Sequence, residues 1–122
     1  MKPDIEGRAE LEQLVDSFYN KVRNDDLLGP LFARVNWEYH LPVMYSFWEN
    51  ALFYSGGYAG NPLRTHQNFH KRMPLNEAHF SCWLQIFNNT VDELFEGANA
   101  VMVKQKAKNI ATVMQLKIFS SL

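Results

Sequence analysis

Read by the spacing of its apolar positions, the chain is a succession of helices. Leu11, Leu14, Val15, Phe18 and Val22 recur at helical intervals with Arg8, Glu12, Asp16 and Lys21 between them, which predicts an amphipathic helix from Ile5 to Val22 with one buried face. Tyr19 follows Phe18, so its ring lies on or near that face. Asn24-Asp25-Asp26 and the Gly29-Pro30 break then surround Leu27, Leu28, Leu31 and Phe32, a buried corner with room for one helical turn at most. Proline is tolerated in a first helical turn, so a second helix is expected to begin just before Pro42, with His40 at its start. Val43, Met44, Phe47, Trp48, Ala51 and Leu52 form its apolar stripe, and His40, Met44 and Phe47 share a face.

Tyr54 to Pro62 holds three of the six glycines and reads as a loop. Asn61 as N-cap and Pro62 as first helical residue restart the chain as a short helix carrying Leu63, His66 and His70, which Pro74 ends. Leu75 and Phe80 flank Asn76 as a hydrophobic staple flanks an N-cap, with Glu77 in the first turn favouring the helix dipole. The helix that follows buries Phe80, Trp83, Leu84, Phe87, Val91, Leu94 and Phe95, and Gly97 is placed to end it. From Asn99 to about Phe119, Val103, Ala107, Ile110, Met114 and Ile118 fall on one face and lysines on the others. No segment alternates as a strand does, and the expected class is all-α.

Composition narrows the picture. At 122 residues the chain is expected to be a single domain, 1–122, able to bury a core without staples. Nine Phe, five Tyr and three Trp bring the aromatic share to 14%, enough to fill an aromatic core or to wall a pocket for a flat apolar ligand. Twelve basic residues against 13 acidic ones leave a net charge of -1, and no basic face stands out, so nucleic acid and anionic membrane are not expected as main partners. A single cysteine, Cys82, cannot form an internal disulfide or a structural metal site. With no secretory signature and no apolar run of membrane length, the expected location is the cytoplasm.

The most concentrated coordinating group is His66-Gln67-Asn68-Phe69-His70-Lys71-Arg72-Met73-Pro74. Two imidazoles four residues apart lie on one side of a helix, and a neutral imidazole at a helix end suits a transition metal or haem iron. A zinc-hydrolase reading fails, because a general-base Glu belongs beside the first histidine and position 67 is Gln. Cys82, beside Trp83 in a helix interior, is expected to be a small buried thiol rather than a nucleophile, and His79 an exposed first-turn residue. What remains is a helical sandwich rich in aromatics, a histidine at the end of a short helix, and Tyr19, His40 and Trp83 as polar pocket candidates on three other helices. A haem pocket requires that set: one axial nitrogen, flat apolar walls and a few donors opposite.

Phe18-Tyr19, the corner Leu28-Gly29-Pro30-Leu31-Phe32, Phe47-Trp48, the glycine-bearing loop from Tyr54 to Gly60, and His70 ahead of Trp83 together resemble a truncated haemoglobin, the two-over-two helical branch of the globins. His40 followed by Leu41-Pro42, the Phe-Trp pair and the Asn61-Pro62 start resemble the third group of that family. The resemblance spans nearly the whole chain, although glycine pairs near the first helix are missing. It implies haem b, with His70 as proximal iron ligand; His66 is the competing choice, and His70 is preferred because the run from Lys71 to Leu75 matches the stretch after the family's ligand. It implies Tyr19 and Trp83 as a distal hydrogen-bonding pair and His40 as a distal histidine that gates the pocket or approaches iron. Phe32, Met44, Phe47 and Trp48 become pocket walls, with His66 and Met73 beside the haem.

The implied function is binding of O2, NO or CO at haem iron, for oxygen or NO redox chemistry or for sensing rather than bulk transport. NO dioxygenase or peroxidase-like activity and an unidentified reductase go with it, in a monomer or weak dimer. The alternative from the residues is a non-haem helical module that uses the same aromatics to bind an apolar ligand or a protein partner.

Overall fold

The computed structural model describes residues 1–53 and 75–120, with side chains to residue 116. The expected loop from Tyr54, the short helix and with it His66, His70 and Met73 lie outside the described residues. The described chain forms α1 (Arg8–Arg23), a single 3-10 turn (Gly29–Phe32), α2 (Trp37–Phe53), α3 (Glu77–Leu94) and α4 (Ala98–Ser120). α1 packs on α2 and α3, α4 packs on α3 and α2, and the 3-10 turn lies against α1. The expected two-over-two helical sandwich is what is found, with no strand among the described residues.

Each helix is bounded by local chemistry. α1 buries Leu11, Leu14, Val15, Phe18, Tyr19 and Val22 on one stripe, as its periodicity requires. It starts later than expected, at Arg8, yet Ile5 ahead of it is still fully buried. Asn76 caps α3 by accepting from the His79 N–H at 3.2 Å, while the Asn76 N–H donates to His79 Nδ1 at 2.9 Å. His79, expected to be exposed, is therefore half-buried and closes a capping box. Leu75 and Phe80 are buried together in one cluster, as the staple predicts. α3 ends at Leu94, before Gly97, because Phe95 turns extended with its N–H on the Val91 carbonyl.

α2 departs most from expectation. It begins at Trp37, and Pro42 sits inside it. The Asn36 carbonyl accepts the N–H of both Tyr39 and His40 and starts the helix a turn early. Glu38 and Pro42 are both exposed, so the carbonyl that proline cannot serve lies on the solvent side, where water replaces the lost bond.

The corner into α4 is built by the N-terminal segment. Asp4 Oδ2 accepts from Asn99 N at 3.0 Å and Asp4 Oδ1 from Ala100 N at 2.9 Å, and Asn99 Nδ2 donates to the Ile5 carbonyl at 2.7 Å. Gly97 is held there at φ +132, and a Cβ on it would meet Asp4 Cγ at 2.6 Å. Only a residue without Cβ allows that close approach.

Candidate functional site

α1 and α2 bring the first polar pair together. Tyr19 comes late on the buried stripe of α1 and is 6% exposed. Its ring meets the edge of His40, from the first turn of α2, at a centroid distance of 5.2 Å. The Nε2 atom of His40 is buried. Burial pushes the Tyr19 phenol well above its ordinary value, so the hydroxyl keeps its proton and is a donor at any physiological pH.

Aromatic rings surround that pair. Phe32 from the 3-10 turn lies 6.0 Å from Tyr19. Trp37 stacks on Phe32 at 6.0 Å and stands 5.3 Å from Tyr19 and 5.5 Å from His40. The Arg23 guanidinium covers the Trp37 ring at 4.8 Å. Trp37 was not among the residues singled out in the sequence. It continues the His40, Met44 and Phe47 face one turn back, a signal hidden by starting the helix just before Pro42.

Trp83 reaches the same region from α3. It packs edge-on to Phe18 at 5.6 Å, and Phe18 in turn lies 4.8 Å from Tyr19. Its indole stacks on Phe87 at 5.6 Å and is only partly buried, so it is the neighbour of Tyr19 through Phe18. Met44 and Phe47 are also partly buried and packed on the core. Trp48 is 2% exposed and stacks on Phe87 at 4.8 Å, so its ring belongs to the core and is not an open pocket wall. α2 has only Trp48 and Leu52 fully buried, although Leu41, Met44, Phe47, Ala51 and Phe53 are apolar as well.

Cys82, expected to be buried, is half-exposed and held by the α1 corner: its thiol donates to Asp25 Oδ2 at 3.4 Å. Asp25 also accepts from the N–H groups of Leu27 and Leu28. Burial and then the Asp25 carboxylate raise the thiol above its ordinary value, which leaves it a poor nucleophile.

Helices packed in two layers around an aromatic core, with a buried tyrosine against a half-buried histidine, are the arrangement of the globin class of helical protein. More narrowly, the chain belongs to the bacterial-like globin family, whose family model matches residues 3–118. It is 27% identical to the group 3 truncated hemoglobin ctb of Campylobacter jejuni, over 98% of this chain and 96% of that protein. The crystal structure of the group III truncated hemoglobin from Campylobacter jejuni superposes with a TM-score of 0.86 at 27% identity, over 97% of this chain and 95% of the other. Chlamydomonas reinhardtii THB1 gives 0.66 at 26% identity, over 84% and 88%.

The family implies a haem cofactor and small diatomic gases as ligands. The described residues fit such a group. An apolar helix face on α2 that the core leaves partly uncovered, rings from the 3-10 turn and α2 beside it, and a protonated phenol next to a half-buried imidazole are the walls and donors that a flat macrocycle with a small polar ligand needs. No helix of the described residues is long and apolar enough to cross a membrane.

Proposed function

We propose that this chain is a single-domain cytoplasmic globin that binds haem b and holds O2, NO or CO on the side of Tyr19, His40 and Trp83. Haem, when bound, supplies an iron with one position open to a diatomic ligand and a change of oxidation state for redox chemistry. His70, preferred to His66 on the sequence that follows it, would hold the iron, and His66 and Met73 would help to hold the macrocycle. Phe32, Met44 and Phe47, together with Trp37, wall the pocket and keep water from the ligand; Trp48 supports them from the core.

The observation that carries this reading is the Tyr19 phenol, buried, protonated and edge-on to His40 within aromatic walls. A fixed donor in a site of low dielectric holds a ligand that gathers negative charge more tightly than water does. The Trp83 indole N–H is the second donor, and His40 orients the phenol and bars the way in. Tight retention suits oxygen or NO redox chemistry, such as NO dioxygenation or a peroxidase-like reaction, better than transport, and a reductase would then return the iron to its starting state.

An ultraviolet–visible spectrum of purified protein, before and after dithionite, tests the reading for wild type, His70→Ala and His66→Ala. A Soret band that His70→Ala alone disrupts is the expected result. Disruption by His66→Ala instead moves the ligand by one turn. A colourless protein that gains no Soret band on adding haem overturns the reading in favour of a non-haem helical module.

A further inference from the structure

Among the described residues, four rings surround Tyr19: Phe18, Phe32, Trp37 and His40. Phe18 is 1% exposed and closes the core side. The other three are half-buried, so the phenol is reached from solvent on their side. Trp37 lies against both of its fellows as well as against Tyr19, stacked on Phe32 and edge-on to His40. Its ring also carries the Arg23 guanidinium at 4.8 Å, from a residue that is itself exposed. The order from solvent inward is therefore Arg23, then Trp37, then the tyrosine–histidine pair.

We propose that Trp37, held shut by Arg23, is the outer cover of the Tyr19–His40 pair, so that a diatomic ligand enters and leaves when this indole swings aside. The inference rests on the haem reading above and adds to it the step that sets the rate of passage. Trp37 is the first residue of α2, where the backbone N–H takes no part in the helical ladder, and Arg34 and Asn36 just before it are exposed. Its side chain can turn without disturbing the packed stripe behind it. His40 is tied in more firmly, by its N–H on the Asn36 carbonyl at 2.9 Å. A guanidinium over an indole favours the closed position, and at an exposed site such a pair biases a population by about twofold to fivefold.

Arg23 also ends α1, where a cation suits the helix dipole. That accounts for a basic residue at this position but not for its place over Trp37, since Lys21 of the same turn points elsewhere, to Glu93 and Thr90. A cover and a donor differ in what they do to a bound ligand. A cover that closes over the empty and the occupied site alike has no preference between them, so its loss speeds entry and release by the same factor and leaves affinity unchanged. A donor such as the Tyr19 phenol holds the bound ligand, so its loss speeds release alone and lowers affinity.

Stopped-flow measurement of CO entry and CO release on the haem-loaded full chain tests the inference. Trp37→Ala should speed both by one common factor of about tenfold or more, the effect of removing a cover that is open no more than about a tenth of the time. Arg23→Gln should speed both by about twofold to fivefold, and should do nothing further in the Trp37→Ala background. The CO stretching band in the infrared, which reports the donors beside the ligand, should not move in either variant. A readout that needs no ligand is the fluorine resonance of Trp37 in chain labelled with 5-fluorotryptophan, assigned by its loss in Trp37→Phe; Arg23→Gln should shift it. Arg23 is exposed, so unchanged circular dichroism and melting of Arg23→Gln separate a loosened cover from lost folding. Rates that Trp37→Ala leaves unchanged overturn the inference, as does faster release alone with lowered affinity, which makes Trp37 a wall that positions the donor. An unmoved Trp37 resonance, or an Arg23→Gln effect that persists without the indole, overturns it too. A chain with no Soret band overturns the haem reading and this inference with it, whereas a Soret band with unchanged rates overturns this inference alone.

Discussion

Tyr19 packs in the core and is the donor on which the proposed ligand site rests. Its ring is buried against Phe18, Phe32, Trp37 and His40, while its hydroxyl stays protonated because burial disfavours the phenolate. Tyr19→Phe keeps the ring and removes the donor. It should leave thermal stability nearly unchanged and speed release of O2 from the haem-loaded protein by about tenfold to a hundredfold, the size of one hydrogen bond to a charge-bearing acceptor. Stopped-flow ligand displacement measures this, and an unchanged release rate would remove Tyr19 from the binding site. Residue types were legible at this scale: a tyrosine on the apolar stripe and a histidine ahead of Pro42 could be named from the sequence. Trp37 could not, because its contact with Tyr19 and His40 depends on α2 starting a turn before the proline.

At the scale of elements, α4 is capped from the far end of the chain. Its own first turn has no acidic residue, and the Asp4 carboxylate supplies the missing acceptor and charge. Burial opposes the Asp4 charge, but N–H donors of Asn99, Ile5 and Ala100 outweigh it and hold the group below its ordinary 3.8. A carboxyl depressed in the folded state stabilises fully above its unfolded value, and that contribution disappears as pH falls through the folded one. Asp4→Ala should therefore cost about 1 kcal/mol near neutral pH. The gap between wild type and variant should close as the solution is acidified below the ordinary carboxylate range. Urea unfolding at several pH values checks it; a gap that widens on acidification would show that the carboxylate is not the cap. The local cap of α3 was legible, since Asn76 and its staple are neighbours in sequence. The cap of α4 was not, since nothing near Ala98 announces Asp4.

For the whole molecule the aromatic core is the joint between layers. Phe87 is fully buried and meets Phe18 at 5.2 Å, Trp48 at 4.8 Å and Trp83 at 5.6 Å, so a single ring ties α3 to α1 and α2. Phe87→Ala should cost about 3–5 kcal/mol and, by freeing the Trp83 indole, also shift its fluorescence in the folded protein. Calorimetry and emission spectra read the two effects, and a loss near 1 kcal/mol would mean that neighbouring rings collapse into the gap.

The sequence by itself determined what depends on neighbours along the chain. Helical periodicity marked four buried stripes, Asn76 and Leu75 announced a helix start, and the residue types for a polar pocket within aromatic walls were present in order. Local propensity and amphipathic spacing act over a few residues, so they can be read without coordinates. Only the tertiary structure decided which distant groups meet. It seats Tyr19 against His40, stacks Trp48 on Phe87 in the core, ties Cys82 to Asp25 and fits Asp4 into the start of α4. Those pairings follow from how whole helices dock, a property set by the sum of side-chain shapes across an interface and by no single stretch of residues.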